Sequence, residues 1–195
     1  MFTLEKLLGG LLLAACMLLL AACMSSIAFA QSPSNRYGFG AEISPQDLAK
    51  YFAIPPDGRG LPPGAGTAAV GAKVFAENCA ACHGDKLQGN PEKGIGGDRL
   101  LGGRGTLATA TPVKTVESYW PYPTTLFDYV KRAMPFSAPG SLSDDDVYSV
   151  VAYILSEAKI IKPTDVINAQ TLPKVAMPNR DGFIPDARPE LQLYR

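Results

Sequence analysis

The sequence predicts an all-α fold: several short helices enclosing one large non-protein group, with irregular N- and C-terminal extensions. Three observations lead there. Val147, Val150, Val151, Ile154 and Leu155 fall at i, i+3, i+4, i+7 and i+8, the apolar stripe of an amphipathic helix. No segment alternates apolar and polar residues strongly enough to read as a strand. Residues 84–123 are rich in Gly and Pro, and so long an irregular stretch suits a compact domain only if it wraps something that supplies the missing core.

The elements follow in order. Ser44-Pro45-Gln46-Asp47 has Ser as N-cap and Pro at the first helical position, so a short helix through Phe52 is expected. Ile54-Pro55-Pro56-Asp57-Gly58 ends it and begins a turn-rich linker to Gly66. Thr67 caps a second helix that runs into Cys79. Val70, Val74 and Phe75 are expected on one face, where Gly71 leaves room for a close neighbour. Thr124 or Thr125 caps a third helix containing Leu126, Phe127, Tyr129 and Val130. It stops before Met134-Pro135, because the residue preceding a proline is pushed out of helical geometry. Ser143 caps the fourth, with Asp144, Asp145 and Asp146 near its positive end. Residues 161–195 are Pro-rich with little periodicity, and are expected to lie on the surface or to reach a partner.

Charge and the N-terminus narrow the function. Lys+Arg and Asp+Glu are both 18, which argues against nucleic acid or an anionic membrane surface as the main partner. Lys6, the apolar run from Leu7 to Ala22, and Ala28-Phe29-Ala30 read as an export signal over residues 1–30, placing the mature chain in the periplasm. Cleavage after Ala30 is expected. The competing reading is a lipoprotein: Leu20-Ala21-Ala22-Cys23 resembles a lipobox, as does Leu13-Ala14-Ala15-Cys16. The chain would meet a membrane only through a lipid on Cys23 or a retained signal. The resulting layout is a signal at 1–30, an N-terminal linker at 31–66, a central domain at 67–160 and the C-terminal extension at 161–195.

Of four Cys, a chain starting at Gln31 keeps only Cys79 and Cys82. With Ala80, Ala81 and His83 they form C-x-x-C-H, the attachment pattern for c-type haem. Two thiols one turn apart can each bond one porphyrin vinyl group, and the adjacent imidazole is then delivered to the iron. A thioredoxin-like dithiol would need a βαβ context. A zinc site needs about four ligands, and the chain has a single His. The covalent haem c reading therefore stands, with His83 as one axial ligand.

The second axial ligand follows by elimination. A single His excludes bis-histidine ligation, and Met134 and Met177 are the methionines left after signal removal. Met134 lies between two helices, in a loop able to reach the far face of the haem. Met177 lies beyond the last helix. Met134 is therefore expected on the iron, and His/Met ligation raises the reduction potential. Arg104, Trp120, Arg99 and Tyr122 carry donors that suit haem propionates, with solvated Arg and core aromatics as the plain alternatives. Gly103-Arg104-Gly105-Thr106-Leu107-Ala108 fits G-x-G-x-x-A but follows no strand, so it is not read as a dinucleotide site. Its glycines are expected to let the backbone pass close to the haem.

Gly71 and Phe75, Cys79 to Gly84, Met134-Pro135, and the helix with Tyr153 and Leu155 together resemble a class I cytochrome c. The resemblance implies that the first and last helices cross beside the haem, with Gly71 and Tyr153 in contact. A narrower resemblance is to the cytochrome partners of sulfite and sulfane dehydrogenases. It is carried by Pro56-Asp57-Gly58-x-Gly60-Leu61-Pro62-Pro63-Gly64, Lys114-Thr115-Val116-x-x-Tyr119-Trp120-Pro121-Tyr122, Thr124 to Tyr129, Arg132 to Phe136, and Met177 to Phe183. It implies an electron-transfer subunit rather than an enzyme. The electron donor would be a periplasmic dehydrogenase of the molybdopterin sulfite dehydrogenase type, and the acceptor a downstream cytochrome or oxidase. Sulfane dehydrogenase cytochromes often carry two haems, so the single C-x-x-C-H favours the sulfite type. The alternatives are a general periplasmic carrier for another dehydrogenase or oxidase, and a haem protein whose open site binds a small molecule.

Overall fold

Thr67 is in extended geometry and its side chain accepts a hydrogen bond from the Val70 amide at 3.4 Å, capping the helix that follows as its residue type predicts. The structure is a computed structural model describing residue 44, residues 53–90 and residues 96–184. Apart from Ser44, these belong to one compact unit, Pro45–Arg195. The expected signal at 1–30, with Cys16 and Cys23, and the expected helix from Pro45 to Phe52 lie outside the described residues.

In chain order come β1 (Ala65–Thr67), α1 (Ala68–Asn78), α2 (Ala80–His83), α3 (Pro123–Ala133), α4 (Asp144–Glu157), β2 (Val166–Asn168) and a 3₁₀ turn at Leu172–Lys174. Among the described residues no helix is long and apolar enough to cross a membrane.

Helix α4 is the centre of the core. Ser143 accepts from the Asp146 amide at 3.1 Å and donates to the Asp146 carboxylate at 2.6 Å, a reciprocal cap of the kind that contributes about 1 kcal/mol. Asp144, Asp145 and Asp146 all sit in its first turn, where the helix dipole favours negative charge. The five stripe residues, Val147, Val150, Val151, Ile154 and Leu155, are all buried. Helix α1 crosses α4 at Gly71: a Cβ there would run into the Ser149 carbonyl oxygen and lie 2.8 Å from the Tyr153 Cβ. The Phe75 and Tyr153 rings meet beside the crossing, their centroids 5.3 Å apart. The Gly71–Tyr153 contact implied by the family resemblance is thus present.

Three expectations are corrected. Val70 is 50% exposed and does not share the face of Val74 and Phe75. The buried stripe of α1 is Ala68, Gly71, Val74 and Phe75, and Val70 falls outside it. Neither Thr124 nor Thr125 caps α3. Pro123 occupies the first turn, and the N-cap is Tyr122, which makes no side-chain capping bond. Thr124 is instead fully buried. Finally, residues beyond 161 do not merely lie on the surface. β2 pairs antiparallel with β1, Gly66 opposite Ile167, and Ile167, Leu172 and Met177 enter the core.

Candidate functional site

The two cysteines flank a break in the helix. Cys79 ends α1 with its amide bonded to the Phe75 carbonyl, then starts the single turn α2, which ends at His83. His83 N and Cys82 N both donate to the Cys79 carbonyl, at 2.9 and 3.1 Å. Cys79 and Cys82 are both half-buried and free. Burial, with Cys82 adding to it, pushes the Cys79 thiol up to about 11, so at neutral pH it is held as a neutral thiol.

The imidazole of His83 is fixed by backbone rather than by side chains. Its Nδ1 lies 2.7 Å from the Asp98 carbonyl oxygen. A carbonyl only accepts, so Nδ1 carries the proton and Nε2 keeps its lone pair for a metal. Gly97 makes this approach possible: a Cβ there would lie 2.8 Å from both Cε1 and Nδ1 of the ring. The Gly97 amide donates to the Cys82 carbonyl at 3.2 Å, and the Gly89 amide to the His83 carbonyl at 2.7 Å, tying this loop to α2.

Met134 forms the C-cap of α3, in extended geometry, its amide donating to the Val130 carbonyl at 3.1 Å. The loop it begins is held at its far end by Lys131, whose Nζ donates to the Leu142 carbonyl at 2.9 Å and pairs with Asp144 at 2.8 Å. Met134, Cys79, Leu100, Leu101 and Trp120 are all partly buried and packed against the same core. Two free thiols, an imidazole with Nδ1 engaged, a half-buried thioether and a rim of partly covered apolar side chains match the donor set of a covalently attached haem. Met177, by contrast, is 4% exposed and belongs to the core itself.

The remaining site residues have clear surroundings. Trp120 sets its indole edge-on to Tyr129, centroids 5.7 Å apart. Arg104 is exposed, pairs with Glu117 at 2.7 Å and donates to the Ala158 carbonyl, so it clasps the loop to the C-terminus of α4. Glu117 also accepts from the Gly102 amide at 2.6 Å. Gly103 backs onto the Val113 carbonyl, while nothing lies within 4 Å of where Cβ atoms at Gly102 and Gly105 would sit. Arg104, Leu107, Ser118 and Asn179 line a shallow cleft of about 330 Å³. Arg99 is exposed and Tyr122 half-buried. Sequence reasoning missed Gly97 and the Asp98 carbonyl. The only signal available was the Gly96-Gly97 pair in the loop after the motif.

Comparison with known proteins gives a consistent picture. The family model described as cytochrome c matches residues 68–158. The cytochrome c6 of Leptolyngbya boryana is 39% identical over 92 residues, which are 47% of this chain and 94% of that protein. The thiosulfate dehydrogenase of Stutzerimonas stutzeri (strain A1501) is 32% identical over 98 residues, 50% of this chain but only 30% of that protein. Among solved structures, the sulfane dehydrogenase SoxCD from Paracoccus pantotrophus is 39% identical with a TM-score of 0.71, covering 82% of this chain and 78% of the matched one.

Proposed function

The chain belongs to the cytochrome c family, and we propose that it is a periplasmic electron acceptor for a dehydrogenase of sulfur compounds. Its C-x-x-C-H implies covalently bound haem c, which makes it an electron-transfer protein rather than a catalyst. Haem c supplies a one-electron iron couple and leaves bond-making chemistry to a partner.

In this reading Cys79 and Cys82 form the two thioethers, and His83 and Met134 bind the iron. The Asp98 carbonyl holds the His83 tautomer. Leu100, Leu101 and Trp120 exclude water from the bound group, lowering the dielectric around it. Trp120 donates its indole N–H to a propionate. Arg104 spends two of its five N–H donors on Glu117 and Ala158 and keeps the others for the same carboxylates. Residues 1–30 act as the export signal, and the β1–β2 pair with Ile167, Leu172 and Met177 draws the C-terminal part into the haem domain.

The observation that carries the choice of partner is the extent of the likeness to SoxCD, 82% of this chain, reaching well beyond the 68–158 of the family match. That likeness supports a dehydrogenase of sulfur compounds as donor; the single C-x-x-C-H favours one of the molybdenum sulfite dehydrogenase type, with a further cytochrome or oxidase as acceptor. Stopped-flow mixing of the oxidised protein with such a dehydrogenase tests this. Fast haem reduction that needs both enzyme and sulfite is expected. Reduction by dithionite but not by the enzyme would remove the sulfur assignment. The likeness to cytochrome c6 over 94% of its length favours a second reading, a general carrier. Equal reduction rates with unrelated dehydrogenases would select it.

A further inference from the structure

The segment after the 3₁₀ turn folds back as a strap on the loop that presents Trp120. Met177 anchors it in the core at 4% exposure. Two successive turns follow, Arg180 N to the Met177 carbonyl and Gly182 N to the Asn179 carbonyl, each 3.1 Å. Asn179 Nδ2 then donates to the Tyr119 carbonyl at 2.7 Å, across 60 residues of sequence. The amide of Asn179 rests against Gly182, where a Cβ would collide with its Oδ1. Phe183 sets its ring edge-on to Tyr119, centroids 5.2 Å apart, and the Lys114 ammonium lies 5.3 Å from the centre of the same ring.

The turn leading into Trp120 is held by a closed set of hydrogen bonds. Thr115 and Ser118 exchange bonds between each amide and the other's hydroxyl, at 3.0 and 3.1 Å, and Tyr119 N donates to the Thr115 carbonyl at 3.0 Å. The turn before Tyr119 is thereby held by its own side chains. The peptide joining Tyr119 to Trp120 is held by the strap, and its carbonyl is the atom Asn179 binds.

We propose that Asn179 is a positioning residue for the haem edge: by binding the Tyr119 carbonyl it fixes the peptide that carries Trp120, and so sets the indole's hydrogen bond to the haem. This rests on the reading that Trp120 contacts the haem. Loss of the indole donor leaves a fuller negative charge near the iron, which favours the ferric state and lowers the midpoint potential.

The test is a double-mutant cycle on the full holoprotein, with the midpoint potential and thermal stability both measured. Trp120→Phe lowers the potential. Asn179→Ala lowers it by a smaller amount, and in the Trp120→Phe background it produces no further shift. Gly182→Ala, which displaces the Asn179 amide, reproduces the Asn179→Ala shift. If Asn179→Ala does not assemble with haem, Asn179→Asp keeps the side-chain shape without the donor, and the cycle subtracts its added charge. A fall in stability with an unchanged potential, or shifts that simply add, overturns the role of Asn179 alone. No shift in Trp120→Phe removes the haem contact of Trp120, and the positioning role with it.

Discussion

Gly71 presses against the carbonyl oxygen of Ser149 so closely that no side-chain carbon fits between α1 and α4. This crossing fixes where α1 ends, and therefore where Cys79, Cys82 and His83 stand relative to the core. Gly71→Ala is expected to lower stability by about 1–3 kcal/mol through overpacking, read from denaturant unfolding of the holoprotein. The exposed Val70→Ala on the same helix serves as control and changes stability by at most about 0.5 kcal/mol.

Gly97→Ala places a methyl against the His83 ring and breaks the Nδ1 contact with the Asp98 carbonyl. Haem stays covalently attached, because the cysteines are untouched. Exogenous imidazole then competes for the iron about tenfold or more better than in the wild type, as followed by the shift of the Soret band.

Met134 and Met177 separate ligation from packing. Met134→Ala is expected to abolish the weak far-red band of methionine-bound ferric haem and to let the reduced protein bind carbon monoxide. Met177→Ala keeps the band but loses about 2–5 kcal/mol of stability, because it opens a cavity in the core. The reverse outcome would exchange their roles.

Tyr148 makes stability fall at alkaline pH. It is fully buried and its hydroxyl donates to the Pro62 carbonyl at 2.8 Å. Burial first, then the charge of Asp144, pushes its pKa from 10.0 to about 12. The unfolded chain ionises this phenol near 10 and the folded chain only near 12. Its contribution is therefore fully present below 10 and is lost as pH rises towards 12. Tyr148→Phe is expected to be less stable at neutral pH by about 1 kcal/mol, yet to show a shallower decline between these values in urea melts.

Much of this was legible because it is local. Caps at Thr67 and Ser143 depend on a hydroxyl and the amides three residues on, so residue type announces them. The end of α3 before Met134-Pro135 follows from proline sterics. The start of α3 was misread because Thr124 and Thr125 look like caps, whereas Pro123 enters the helix first and needs none. The pairing of β1 with β2 was hidden because each strand is only three residues long, with one buried position apiece, Gly66 and Ile167. No periodicity can build up over so short a span.

What the sequence determined by itself was the chemistry: two thiols and an imidazole at C-x-x-C-H spacing, a methionine after a helix, and an apolar stripe on α4. Each of those features is local, spanning a few residues or a single helix, and obeys helix geometry. The tertiary structure alone decided what holds them: Gly97 and the Asp98 carbonyl on His83, Ser149 on Gly71, Ile167, Leu172 and Met177 in the core, and Asn179 on Tyr119. These are contacts between backbone groups and side chains brought together by folding, and a backbone carbonyl has the same signature at every residue. A one-dimensional pattern cannot say which one a given side chain will meet.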